Sequence, residues 1–141
     1  AVGWDWVGIN LLDGGSLMAF RIRKNDGSTI WSDFSMLNAR GNIHPLLDQK
    51  NINNSTLTAN WKTLKEWLSP VSFAKYPISQ KITFGQHVLI LLPLIENQEL
   101  DARMTTGGFY WEGAVKVMLN EQVFGKGFLE LTGYSSPLLI R

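Results

Sequence analysis

Carboxylates set among aromatic rings mark both ends of this chain. Near the start runs Gly3-Trp4-Asp5-Trp6-Val7-Gly8-Ile9-Asn10-Leu11. Near the end run Tyr110-Trp111-Glu112-Gly113-Ala114-Val115 and Gly127-Phe128-Leu129-Glu130-Leu131-Thr132-Gly133-Tyr134. A charge inside an apolar run is costly unless it is paired. Read as strands, these segments sort their side chains by face. Tyr110, Glu112, Ala114 and Lys116 share one face, and Trp111, Gly113, Val115 and Val117 the other. Phe128, Glu130, Thr132 and Tyr134 oppose Leu129 and Leu131; Leu17, Ala19, Arg21 and Arg23 oppose Met18, Phe20 and Ile22. Trp4, Trp6, Gly8 and Asn10 oppose Asp5, Val7, Ile9 and Leu11.

The polar sets are expected to converge, Arg21 and Arg23 meeting Glu112 and Glu130 under a roof of Trp6, Tyr110 and Tyr134. Arg–carboxylate pairing neutralises such groups. The chemistry this permits is acid catalysis. A carboxylic acid in an aromatic pocket protonates a bound alkene or carbonyl, and ring faces stabilise the cation that develops. Glu112 is the first choice of acid, with Trp4, Trp6, Tyr110 and Tyr134 as lining and Arg21 and Arg23 as electrostatic partners. The plainer reading of the same residues is a structural ion-pair network or a solvated face. The six Trp divide in the same way, between core filling and the wall of a ligand pocket.

Other chemistries find little support. His44 precedes a Pro near a turn, His87 follows Gly85-Gln86, and neither has a second His at ligand spacing, so no metal site is expected. Ser16 follows Gly14-Gly15, which reads as a hairpin turn, and no GxSxG elbow occurs. The glycines show no GxGxxG or P-loop spacing, so no nucleotide cofactor is expected. There is no Cys, which excludes disulfides and a thiolate nucleophile. With 13 basic and 12 acidic residues the net charge is +1, and no basic block suggests nucleic acid. The most apolar stretch, Val88 to Ile95, contains Pro93 and is far shorter than the roughly 20 residues of a membrane-crossing helix.

The elements that must hold these residues are strands. Trp4 to Leu12 and Ser16 to Lys24 form a hairpin about Asp13-Gly14-Gly15, and Thr29 to Ala39 follows after Asn25-Asp26-Gly27-Ser28. A short strand is expected over Ile43 to Leu47, then a polar loop from Asp48 to Ser55. Asn60 to Leu68 is ambiguous: Trp61, Leu64, Trp67 and Leu68 have helical spacing, with Asn60 as cap and Pro70 as stop, whereas a strand puts Trp61 and Trp67 on one face. Pro77 to Phe84 pairs with Val88 to Ile95, and Phe109 to Leu119 with Lys126 to Tyr134. Eight to ten antiparallel strands in 141 residues, 45% hydrophobic, predict an all-β, up-and-down lipocalin-like barrel. Closure removes the sheet's edges, and about eight strands leave room for side chains or one small ligand.

Trp4-Asp5-Trp6, Leu17-Met18-Ala19-Phe20-Arg21-Ile22-Arg23 and Asp26-Gly27 resemble the opening of the second domain of the AttH-like proteins. That lipocalin-like group includes carotenoid 1,2-hydratases and predicted secreted hydrolases. The resemblance continues through Trp67-Leu68-Ser69-Pro70, Tyr76-Pro77, the stretch from Pro93 to Leu100, and the two end motifs, which are its most specific part. Residues 43 to 60 match poorly. The resemblance implies a two-domain protein of which residues 1–141 form the C-terminal barrel, with an upstream portion preceding the abrupt start. It argues for strand over 56–67. It implies a pocket for an apolar, lipid- or terpenoid-like molecule, hydration or cyclisation chemistry without a cofactor, an N-terminal domain as partner, and a periplasmic or secreted location. Asp5, Glu112 and Glu130 are the candidate acids. Homo-oligomerisation stays open. Three functions follow in order: a hydratase- or isomerase-type domain acting on a hydrophobic molecule, a non-catalytic carrier or structural module, and a hydrolase. The hydrolase ranks last because no nucleophile–base pair or metal spacing is present.

Overall fold

The computed structural model describes residues 1–47, 59–105 and 107–137. The described residues form nine strands: β1 (Gly3–Leu11), β2 (Ser16–Arg23), β3 (Thr29–Leu37), β4 (Asn60–Leu68), β5 (Lys75–Phe84), β6 (His87–Pro93), β7 (Glu99–Ala102), β8 (Gly108–Leu119) and β9 (Gln122–Leu131). All pairings are antiparallel, and the sheet runs β3-β2-β1-β9-β8-β6-β5-β4, with β7 attached to β8. Read as a circle from β4 through β9 to β3, this is an up-and-down order in which β1 pairs with β9. The expected lipocalin-like all-β architecture is present. The expected closure is not: among the described residues β3 and β4 do not pair, and the sheet curls without sealing.

Local chemistry accounts for the hairpins. Gly14 has φ 88° in the β1–β2 turn, where the Asp13 carboxylate accepts the Gly15 N–H at 2.8 Å. Asn120 and Glu121, at φ 47° and 73°, make a two-residue β8–β9 turn with the twist such hairpins favour. The turn is shorter than expected, so β9 begins at Gln122 and not Lys126. The segment Ile43 to Leu47 is not a strand; it contributes one bridge, Ile43 to Leu37, and then turns. Asn60–Leu68 is a strand, and its helix-like spacing has a cause. Register shifts at Thr63/Lys65 and Lys65/Trp67 break the alternation, so Trp61 and Trp67 pack on the core while Leu64 and Leu68 face out. The loop expected over 48–55, and residues 56–58 of the extended strand, lie outside the described residues. β7, within the Pro93 to Leu100 motif and beyond, carries no strand signal in the sequence reading.

Apolar side chains line the interior. Val7, Ile9, Leu17, Ala19, Ile78, Ile82, Leu89, Leu91, Trp111, Val115, Val117, Leu129 and Leu131 are almost wholly buried. β1 and β9 approach so closely that a Cβ on Gly127 would lie 2.0 Å from the Gly8 carbonyl oxygen.

Candidate functional site

The register decides which candidates meet. Asp5 lies opposite Arg21 on β2 and Leu131 on β9, so all three face inward. Glu130 lies opposite Trp6 and Glu112, which puts those three on the outer face. The expected convergence of Arg21 and Arg23 with Glu112 and Glu130 is therefore not formed: the sheet itself separates them. The candidates divide into two constellations.

The outer constellation centres on a pocket of about 250 Å³ walled by Trp4, Phe109, Tyr110, Glu130, Thr132 and Thr105. Trp4 is fixed at its backbone N–H by the Thr132 hydroxyl at 2.9 Å, and its indole N–H donates to Glu130 Oε1 at 2.7 Å. Glu112 and Glu130 stand directly opposite across β8 and β9, a like-charge pairing that a sheet does not choose for stability. Beside them the Tyr110 hydroxyl is held protonated above its ordinary range, by burial first and then by the charges of Glu112 and Glu130. Trp6 lies flat along β1, its ring occupying the space a Gly8 side chain would need. Aromatic and aliphatic groups extend this face: Ile22 lies between Trp4 and Trp31, and Phe20, opposite Trp6, packs edge-on against Trp31 with ring centroids 5.8 Å apart. Trp31 and Phe128 are half exposed.

The inner constellation is an ion cluster at one end of the core. Asp5 is 0% exposed. It accepts Arg21 Nε at 2.6 Å, Arg23 Nε at 3.2 Å and the Tyr134 hydroxyl at 2.7 Å. Arg23 also donates to the Thr132 carbonyl, and its guanidinium carbon sits 3.8 Å from the centre of the Tyr134 ring. Burial, then the Asp5 charge, drives the Tyr134 hydroxyl far above the usual phenol range. With its oxygens taken by three donors and no solvent contact, Asp5 anchors this cluster. The Tyr134 ring packs on Tyr76, whose hydroxyl donates to Glu99 at 2.6 Å; Ser69 and Ser72 donate to the same carboxylate at 2.6 and 2.5 Å. These bonds tie β7, and through it Ala102 of the pocket wall, to the β4–β5 loop.

Of the sequence candidates, Trp4, Tyr110 and Glu130 thus share the outer pocket, with Glu112 and Trp6 beside it, while Asp5, Arg21, Arg23 and Tyr134 lie within. Phe109, Gln80, Trp61, Tyr76 and Glu99 join these constellations without a site signal of their own in the sequence. The one available signal was Asp5 itself: a lone acid on the Val7, Ile9, Leu11 face calls for a cation on another apolar face, and Arg21 and Arg23 continue the Leu17, Ala19 face. His44 forms no catalytic pair. Its Nε2 bonds Asp13 at 2.7 Å and its Nδ1 accepts the Leu46 N–H at 3.2 Å, which commits both nitrogens. Among the described residues no group of three or more His, Asp or Glu side chains gathers to hold a metal, and no helix is long and apolar enough to cross a membrane.

A curled, antiparallel up-and-down sheet over an apolar interior defines a lipocalin-like domain. The chain belongs to the AttH-like family, whose profile matches residues 1–134. Its fold is similar to the crystal structure of a Nitrosomonas europaea protein assigned as AttH, at TM-score 0.81 and 36% identity, covering 94% of this chain and 38% of that one. It is also similar to kievitone hydratase from Nectria haematococca, at TM-score 0.65 and 16% identity, over 96% of this chain and 40% of that one. The second likeness is one of fold alone. The chain thus spans about two fifths of the length of these solved relatives. No curated protein matches its sequence.

Proposed function

We propose that the chain is the C-terminal half of a two-domain lipocalin-like protein that binds an apolar, lipid- or terpenoid-like molecule in the pocket of Trp4, Phe109, Tyr110 and Glu130. In the whole protein it adds water to, or isomerises, a double bond of that molecule. The observation that carries the reading is a carboxyl group, Glu130, in the wall of an aromatic pocket with a second, Glu112, directly across from it. Trp4 takes Glu130 Oε1 and leaves Oε2 as the proton-bearing oxygen. The acid gives that proton to one alkene carbon, and the π electrons form the new C–H bond. The adjoining carbon becomes cationic and is faced by the Trp4 and Tyr110 rings. Water adds there, and the proton it sheds returns to the carboxylate. The fold shared with kievitone hydratase is compatible with this class of reaction. The N-terminal domain covers the aromatic outer face around Trp31 and Phe128.

The test is turnover of the full-length protein on a panel of isoprenoid and flavonoid alkenes. Glu130→Gln abolishes hydration while Trp4 fluorescence still reports binding. Glu112→Gln lowers the rate by its effect on Glu130. Unchanged turnover in both variants overturns the acid assignment. A second reading, carriage without chemistry, is favoured by the hydrogen bond that already occupies Glu130. It predicts an apolar compound in the native mass spectrum and no product from any alkene.

A further inference from the structure

The inner cluster has more donors than acceptors. Asp5 brings one negative charge against the two positive charges of Arg21 and Arg23, and none of the three is more than 9% exposed. Arg23 is fully engaged, through Nε with Asp5, through Nη2 with the Thr132 carbonyl, and through its face with Tyr134. Arg21 is not. Beyond Asp5, its one acceptor among the described residues is Gln80 Oε1 at 3.5 Å, the far limit of a hydrogen bond.

Two neighbours repeat the deficit. Gln80 is 0% exposed, yet its Nε2 has no hydrogen-bond partner among the described residues. The buried Nε1 of Trp61 has none either. Buried donors normally find acceptors, and those that do not call for an explanation. Trp61 lies opposite Ile82 and Gln80 opposite Thr63, so Trp61 and Gln80 are diagonal neighbours on the inner face of β4 and β5, close enough for long side chains to meet. The centre of the Trp61 ring lies 5.1 Å from the Arg21 guanidinium carbon. A guanidinium, an amide and an indole, all of them donors, are therefore neighbours on the inner face, beside a positive charge that no anion among the described residues compensates. β4 is an end strand of the sheet, so this place is at the margin of the interior.

We propose that Arg21, Gln80 and Trp61 form a binding site for a carboxylate carried on an apolar body. A carboxylate supplies acceptor oxygens for all three donors and the missing negative charge; water would supply only the acceptors. The apolar body follows from the surroundings. The Trp61 ring covers one side of Arg21, and the ring series Trp67–Tyr76–Tyr134, with centroid spacings of 6.2 and 5.8 Å, runs beside Asp5 and Arg23. The site is on the opposite face of the sheet from the Glu130 pocket and does not depend on the function proposed for that pocket.

The probes are octanoate, octanol and acetate, titrated into the intact protein. Binding is followed by calorimetry and by the NMR signals of the Trp61 indole N–H and the Gln80 side-chain amide. Octanoate is expected to move both signals saturably and to bind about tenfold or more tighter than either other probe, the ratio a charged hydrogen bond confers. Trp61→Phe and Gln80→Met, each with a native melting midpoint, weaken octanoate by about tenfold. Octanol binding as well as octanoate overturns the proposal, because the donors then read no charge. Acetate binding as well as octanoate also overturns it and makes the site that of an adventitious ion only. Should the variants fail to fold, the native protein still decides: both signals unmoved at saturating octanoate refutes the site.

Discussion

Replacing Asp5 by Asn removes one charge and almost no volume from the inner cluster. Two guanidiniums then remain buried, each at most 9% exposed, with no anion between them. Breaking a buried ion pair from one side costs about 3–5 kcal/mol, because the surviving charge has no compensation. For a chain of 141 residues the unfolding entropy is about 0.3 kcal/mol per degree, so the melting midpoint falls by about 10–17 °C. Calorimetry or circular dichroism at neutral pH measures this directly. The comparison is Asp101→Asn, which breaks a pair whose side chains are 64% and 49% exposed and leaves the midpoint where it was. A second arm replaces the whole cluster: Asp5→Leu with Arg21→Met and Arg23→Met recovers most of the loss, since no charge is then left without a partner. A fall of less than about 3 °C in Asp5→Asn would show that the two arginines are not held by this carboxylate, and the account of the inner face would fail.

Three further outcomes are expected. Tyr134 and Tyr76 hold their protons more tightly folded than unfolded, through burial first and then through Asp5 and Glu99 respectively. Their stabilisation is whole below the ordinary phenol value of 10.0 and is lost as pH rises past it, at about 1.4 kcal/mol per pH unit for each. Denaturant titrations from pH 9 to 11 should show this fall and show it halved in Tyr134→Phe. Asp13 has the opposite sign: the His44 hydrogen bond holds its carboxyl below the ordinary value of 3.8, so its contribution is present above that pH and fades as pH drops further, and Asp13→Asn removes this acid dependence. Gly127→Ala forces a methyl to within 2.0 Å of the Gly8 oxygen, so β1 and β9 must part locally; amide exchange at Gly8 and Lys126 accelerates by tenfold or more if this costs about 1.4 kcal/mol, and unchanged exchange would contradict the close approach.

Alternation carried most of the sequence reading. The Trp4 and Asp5 faces of β1 and the Tyr110 and Trp111 faces of β8 are those the residues imply. Alternation fixes which side chains go together, and it is silent on which set turns inward when both contain charge and aromatic rings. Glu112 and Arg21 each have an apolar set opposite, so either assignment is self-consistent strand by strand. Only the cross-strand register, Asp5 to Arg21 and Glu130 to Trp6, separates them. The absence of a β3–β4 pairing among the described residues has a related reason: local patterns define each hairpin, while a β3–β4 contact spans the chain's least patterned stretch. β7, four residues from Glu99 to Ala102, is too short to show a period.

The pairing of β1 with β9 joins Asp5 to Leu131 and Leu11 to Gly125. During synthesis the first strand emerges more than a hundred residues before its partner. Until the ribosome delivers that last strand, β1 has a bare edge bearing Val7 and Ile9, which is the kind of surface that recruits chaperones or strays into aggregates. Completion of the sheet is thus a late event that waits on the synthesis of β9, and a nascent chain stalled before residue 122 keeps that edge open.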